Sequence, residues 1–88
     1  MAARRLRPDE EALLREVVIK HMPGDSDRLI GPPPDRWLSA LRVRVRDALG
    51  EELARAGFDA NAEPTSRGKV LEGLIDYLNR MEFGPKAN

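Results

Sequence analysis

The central segment of the chain, residues 35–56, reads DRWLSALRVRVRDALGEELARA. Its apolar side chains recur at spacings of three and four residues, which is the period of one face of an α-helix. These side chains are Leu38, Leu41, Val45, Leu49, Leu53 and Ala56. Either Asp35 as the N-cap or Pro34 as the first helical residue suits the N-terminal end, while a left-handed Gly57 followed by an apolar Phe58 suits the C-terminal end. We therefore predict one long helix over about residues 35–56.

Two features of this segment leave alternatives open. Residues 41–46 alternate apolar and basic side chains, as a half-buried strand does, although a lone strand would lack a partner. Gly50 costs about 1 kcal/mol relative to alanine inside a helix. The helix could therefore break there and leave a short extra helix over residues 51–56.

Two further helices are predicted, one on each side of the central segment. Pro8 suits a first helical turn, and the three carboxylates after it favour a helix over about residues 9–22. Pro64 at the first position, capped by Glu63 or Thr65, favours another over about residues 65–82. The apolar stripes are Leu14, Val17 and Val18 in the first helix and Leu71, Leu74 and Leu78 in the last.

The stretch from residue 23 to residue 34 is rich in proline and glycine and is predicted to be irregular. Residues 25–30 could form one capped helical turn that tucks Leu29 and Ile30 under the bundle. The run Pro32–Pro34 favours an extended polyproline II geometry. We read it as a stiff linker, with a ligand for a proline-binding domain as the alternative.

Together these patterns predict an all-α fold, a small bundle of three main helices. A single helical domain is expected over residues 8–83, between a basic N-terminal arm of residues 1–7 and a flexible tail of residues 84–88. One core is the limit for a chain of 88 residues.

The composition argues against several functional classes. The chain has no cysteine and one histidine, and its 15 basic and 15 acidic residues cancel. We expect no metal site, no cofactor and no enzyme activity, with His21 playing a structural role at a helix end. Residues 1–7 lead into Pro8 and acidic residues instead of an apolar signal core, and no stretch is long enough to cross a bilayer. A cytoplasmic protein without membrane contact is expected.

The residues that stand out as candidate partner contacts are charged or aromatic. They are Arg36, Trp37, Arg42 and Arg46 on the central segment and Glu72, Asp76 and Asn79 on the last helix. Local pairs such as Arg44 with Asp47 and Glu51 with Arg55 would make the same faces ordinary solvated surface. Trp37 either staples the proline-rich loop to the bundle or anchors a partner.

Two glycines near basic residues raise the question of phosphate binding. Gly68 and Gly73 lie beside Arg67 and Lys69, but the Gly-Lys-Ser/Thr ending of a phosphate-binding loop is missing and no strand precedes it. We expect both glycines to allow close approach of another helix.

The function expected from these observations is a non-enzymatic interaction module or adaptor that binds another protein or itself. Residues 57–59 and 68–81 resemble the last helices of bacterial death-like or effector-associated adaptor domains, on generic apolar spacing alone. Residues 64–69 resemble the stretch after the wing in winged-helix repressors, so a DNA-binding domain of helix-turn-helix type is one alternative, although Glu72 and Asp76 would face phosphate. A small inhibitor or accessory subunit of a larger enzyme, acting by local acidic mimicry through Glu72, Asp76 and Glu82, is the other.

Overall fold

The computed structural model describes residues 5–83, so the predicted tail and most of the predicted arm lie outside the described residues. Within this part the chain is all-α, as predicted, and contains no strand. Its helices are α1 (Pro8–His21), the single turn α2 (Ser26–Leu29), α3 (Ser39–Ala56) and α4 (Ser66–Phe83). Two 3-10 turns, Pro23–Asp25 and Pro34–Arg36, complete the path. No helix in this range is long and apolar enough to cross a membrane.

The helix α1 begins where the sequence predicts, with Pro8 in its first turn. The backbone N–H of Arg7 donates to the carboxylate of Glu10 at 2.9 Å, which satisfies one donor at the start of the helix. Val17 and Val18 are fully buried on the face that the apolar spacing predicts.

The predicted start of α3 is wrong by one turn. Pro34–Arg36 form a 3-10 turn, and Trp37 and Leu38 are extended, with φ of −70° and −62°, so the helix begins at Ser39. Trp37 rather than Leu38 therefore enters the core: Trp37 is 5% exposed and Leu38 is 67% exposed. The indole N–H of Trp37 donates to the carbonyl of Pro32 at 3.2 Å, so this side chain does staple the proline-rich loop to the bundle.

The rest of α3 is one continuous helix through Gly50, and the strand and the break are both excluded. Its end also differs from the prediction, since Gly57 has a right-handed φ of −87° and Phe58 is exposed, as is Ala56. The carbonyl of Gly57 instead accepts the backbone N–H of Thr65 at 2.9 Å and its hydroxyl at 3.2 Å. These bonds turn the chain toward α4 in place of a left-handed cap.

A close backbone approach explains one of the two glycines in α4. A Cβ on Gly68 would lie 2.0 Å from the carbonyl oxygen of Gly57, so only glycine fits there. A Cβ on Gly73 would have no neighbour within 4 Å, and the prediction of a close approach at this residue is wrong. Thr65 caps the helix as predicted, because its hydroxyl accepts the N–H of Gly68 at 2.9 Å.

The core lies where the three long helices meet. The helices α3 and α4 form an antiparallel hairpin, because the end of α3 meets the start of α4 and Ser39 hydrogen-bonds to Glu82 at the other end. The helix α1 packs against both. Leu53 is half-buried, and Leu29 and Ile30 pack beneath the bundle as predicted. The other predicted core residues are buried: Leu14, Val17, Val18, Leu41, Val45, Leu49, Leu71, Leu74 and Leu78.

Two leucines provide a matched test of this packing. Leu74 has no exposed surface, whereas Leu38, on the outside of the start of α3, is 67% exposed. Leu74→Ala should lower the free energy of unfolding by ~2–5 kcal/mol, because it removes apolar contacts and leaves a cavity. Leu38→Ala should change it by less than about 0.5 kcal/mol. Chemical denaturation followed by circular dichroism measures both, and equal effects would contradict the observed start of α3.

A second matched pair tests the approach of α3 and α4. Gly68→Ala places a methyl group against the Gly57 backbone and should destabilise the protein by ~1–3 kcal/mol, because the backbone has to shift. Gly73→Ala meets open space within α4 and should stabilise it by up to ~1 kcal/mol, through helix propensity. Thermal melts of both variants give the signs. A stable Gly68→Ala protein would rule out the close contact.

Candidate functional site

An open groove of about 460 Å³ runs along one face of α1. Its α1 wall consists of side chains at the spacing of one helix face, since Leu14, Arg15 and Val18 follow Glu11 at intervals of three, four and seven residues. Arg5 and Leu6 extend this wall ahead of the helix. The groove therefore follows the helix for about two turns, or roughly 10 Å between Glu11 and Val18.

The opposite wall is the loop between α2 and α3, residues 30–35. Gly31 has a φ of +111°, a backbone conformation that side chains rarely adopt, and it turns the chain into the proline run. Pro33 is extended, with φ −67° and ψ 153°, and Pro34 begins the 3-10 turn. Pro32 and Pro33 are exposed whereas Pro34 is buried, so only the last of the three prolines packs into the bundle, and the stiff linker stays a prediction.

The floor of the groove is part of the hydrophobic core. Leu14, Val18, Leu29 and Trp37 are each buried, and Tyr77 reaches the groove from α4. The rim carries charges of both signs on exposed residues, Arg5, Arg15, Glu11 and Asp35. An apolar floor with a few polar groups around it is typical of a surface that binds apolar side chains.

A buried carboxylate joins the three long helices at the opposite end of α1. Glu52 on α3 is 2% exposed and lies 2.9 Å from Lys20 Nζ, 3.1 Å from His21 Nε2 and 2.9 Å from Arg67 Nη2. Arg67 also bonds Glu16 on α1. Hydrogen bonds from Lys20, Arg67 and His21, in that order of effect, lower the pKa of Glu52 from 4.5 to about 2, although burial opposes them.

This polar cluster was missed by sequence reasoning, although a signal was present. Glu52 follows Val45 by seven residues and Leu49 by three, so it lies on the apolar stripe of α3. A carboxylate there requires charged partners from neighbouring helices. His21 does have the structural role predicted for it. The carboxylate is ionised and its partners are bonded to it, so the cluster holds helices together and is poorly suited to proton transfer.

Two of the predicted partner-binding arginines lie instead between α3 and α4. Arg42 bonds Glu82 through Nε, and Arg46 Nη1 donates to the side-chain oxygen of Asn79 at 3.2 Å. Hydrogen bonds from Ser39, which has the larger effect, and from Arg42 lower the pKa of Glu82 below its usual value. The basic face of α3 and the acidic stripe of α4 thus meet each other within the chain.

The local ion pairs predicted for α3 are wrong. Arg44 pairs with Asp25 at 3.2 Å, in the loop after α1, and Asp47 pairs with Arg46 at 3.1 Å. Glu51 lies 3.7 Å from His21 Nδ1 rather than beside Arg55. Partners from other elements therefore replace the predicted ones for Arg44 and Glu51, whereas Asp47 pairs with the adjacent residue of α3.

The remaining predicted contact residues do not gather into one site. Arg36 and Glu72 are exposed, and Asp76 pairs with Arg80 at 3.1 Å. Trp37 is the one predicted contact residue that lines the groove. In the part of the chain that the structure describes, no three potential metal-ligating side chains cluster together.

Comparisons with models of protein families, with curated proteins and with solved structures find no match to this chain. Its function is therefore inferred from its own geometry.

Two neighbouring glutamates test the polar cluster. Glu52→Gln should lower the free energy of unfolding by about 3 kcal/mol at neutral pH, because it removes the buried charge to which Lys20, His21 and Arg67 are bonded. Glu51→Gln is the matched control, since the Glu51 side chain is 65% exposed, and should cost less than about 0.5 kcal/mol. Urea titrations of both variants measure the free energy of unfolding. Equal losses would show that the buried carboxylate of Glu52 stabilises the fold no more than an exposed one.

The same variant gives a pH dependence of defined sign. Because the folded pKa of Glu52 is about 2 against an ordinary 4.5, its ionised form stabilises the protein above pH 4.5. That stabilisation is lost as the pH falls from 4.5 toward 2. The difference in unfolding free energy between wild type and Glu52→Gln should therefore shrink over this range, as acid titrations of the two proteins will measure. A constant difference would contradict the lowered pKa.

Proposed function

We propose that this protein is a non-enzymatic interaction module that binds a segment of another protein in the groove between α1 and the loop of residues 30–35. The groove itself is the observation that supports this most directly. Its half-buried side chains Leu6, Ile30 and Tyr77 leave apolar surface accessible, against which a partner's apolar side chains would be removed from water. Charges of both signs on the rim suit the mixed charges of a polypeptide better than a uniformly charged ligand.

The size of the groove favours a short segment. The α1 wall covers roughly 10 Å, which an extended chain crosses in about three residues. A groove of 460 Å³ is within the range of sites that hold compact ligands or a few side chains. We therefore infer a small set of apolar anchor side chains in the partner, with polar contacts at Arg15 and Asp35 around them.

The other functions considered have less support. Arg42, Arg46 and Arg67 bond to oxygens of this chain, which leaves fewer arginines to contact nucleic acid. The alternative of acidic mimicry has less support for the same reason, since Asp76 and Glu82 are paired with arginines of this chain. Self-association through the arginine and acidic faces would have to compete with their contacts within the chain. A cytoplasmic location stays a prediction from composition.

The proposal is tested with a peptide selected from a random library displayed against the immobilised protein. Ile30→Ala and Arg15→Ala alter the groove, and each should weaken binding of the selected peptide by about tenfold, a loss of ~1.4 kcal/mol. Isothermal titration calorimetry measures the affinity.

Two matched controls make the same substitutions outside the groove. Ile19→Ala changes an isoleucine of α1 that is 53% exposed, and Arg55→Ala changes an exposed arginine near the end of α3. Both should alter the affinity by less than about twofold. Failure to select any peptide, or equal effects of groove and control substitutions, would refute the proposed site.

A further inference from the structure

The side chain of Arg42 holds the loop wall of the groove from behind. Its Nη1 donates to the backbone carbonyls of Trp37 at 2.7 Å and Pro34 at 3.2 Å, and lies 3.4 Å from that of Asp35. All three of these residues line the groove, whereas Arg42 does not. One guanidinium therefore bonds the carbonyls of Pro34 in the wall and Trp37 in the floor, and lies near that of Asp35, while it does not line the groove itself.

The same guanidinium is fixed from its other side by α4. Its Nε bonds the carboxylate of Glu82, which also accepts the hydroxyl of Ser39. The side chains of Arg42 and Glu82 are 15% and 12% exposed, so this charged pair is largely shielded from water. Charge-assisted bonds in such surroundings are stronger and more directional than neutral ones.

The loop wall has few other attachments. Gly31, at its start, has open space around it and the backbone freedom of a glycine. Apart from the turn's own backbone bonds, the indole N–H of the buried Trp37 bonds Pro32, and Ile30 packs against the core. Contact of the wall with the body of the bundle therefore depends on the packing of Ile30, on the burial of Pro34 and Trp37, and on the hydrogen bonds of Arg42.

We infer that Arg42 is the positioning residue of the groove, setting the distance of the proline wall from α1. The inference rests on the proposed function, because a positioned wall matters only if a partner binds there. When the wall is not held by Arg42, it occupies the binding-competent position for a smaller fraction of the time. The apparent affinity for a partner falls in proportion to that fraction. Arg42 thus acts on binding without touching the partner.

Arg46 provides a matched control. It is also an arginine of α3, one turn later, and its guanidinium bonds the side chains of Asn79 on α4 and Asp47 on α3. Arg42→Gln and Arg46→Gln therefore both remove a link between α3 and α4, and the first also removes the link to the groove.

The first readout needs no partner. Trp37 is the sole tryptophan, so its fluorescence reports on the wall. Acrylamide quenching of Trp37, measured well below the melting midpoint of every variant, should rise about twofold in Arg42→Gln and stay at the wild-type value in Arg46→Gln. Far-UV circular dichroism confirms that each variant is folded. Arg42→Lys keeps the charge but loses the forked geometry, so it should give an intermediate value, and it replaces Arg42→Gln if that variant does not fold.

The second readout is the affinity for the peptide selected against the wild-type protein. Arg42→Gln should weaken it about tenfold and Arg46→Gln by less than about twofold. Unchanged quenching in Arg42→Gln, or equal changes in both arginine variants, would overturn the inference. If quenching rises but no peptide binds the wild-type protein, the proposed function fails while the positioning of the wall by Arg42 stands.

Discussion

The contact between Gly57 and Gly68 is the constraint on which the rest of the structure depends. Because Gly68 has no side chain, the start of α4 approaches the backbone of Gly57 at the end of α3. This approach sets the register of the antiparallel hairpin. Farther along the two helices, the same register brings Arg46 to Asn79 and Arg42 to Glu82. A side chain at Gly68 would move those pairs apart.

The hairpin is then joined to α1 by a buried charge. Glu52 lies on the apolar stripe of α3 and takes donors from both other long helices. Removing a carboxylate from water is costly, and apolar residues in its place would often be as stable. What the charge adds is direction, since its donors must approach from defined positions. That requirement suits it to orient α1, whose other contacts in the core are non-directional.

The groove is a consequence of these two arrangements. Glu52 orients α1 near its C-terminal end, while Arg42 and Trp37 hold the proline-rich loop on the other side. The groove lies between α1 and this loop, in which Gly31 has a φ of +111° and Pro33 is extended. The apolar floor and the positions of its two walls therefore have different physical origins, one in the hydrophobic core and the other in charged hydrogen bonds.

The helical class, the span of α1 and the buried leucines of α4 followed from sequence alone, because the period of apolar residues decides which face of a helix leaves water. Tertiary structure decided the rest. Trp37 is buried in place of Leu38 because the residues before α3 form a 3-10 turn, which the period of apolar residues does not predict, and the helix therefore begins later. Arg44 pairs with Asp25 instead of Asp47. The groove lies between segments that are distant in the sequence. A charged side chain bonds whichever partner lies nearest in space, and that distance is set by helix packing, which no local pattern encodes.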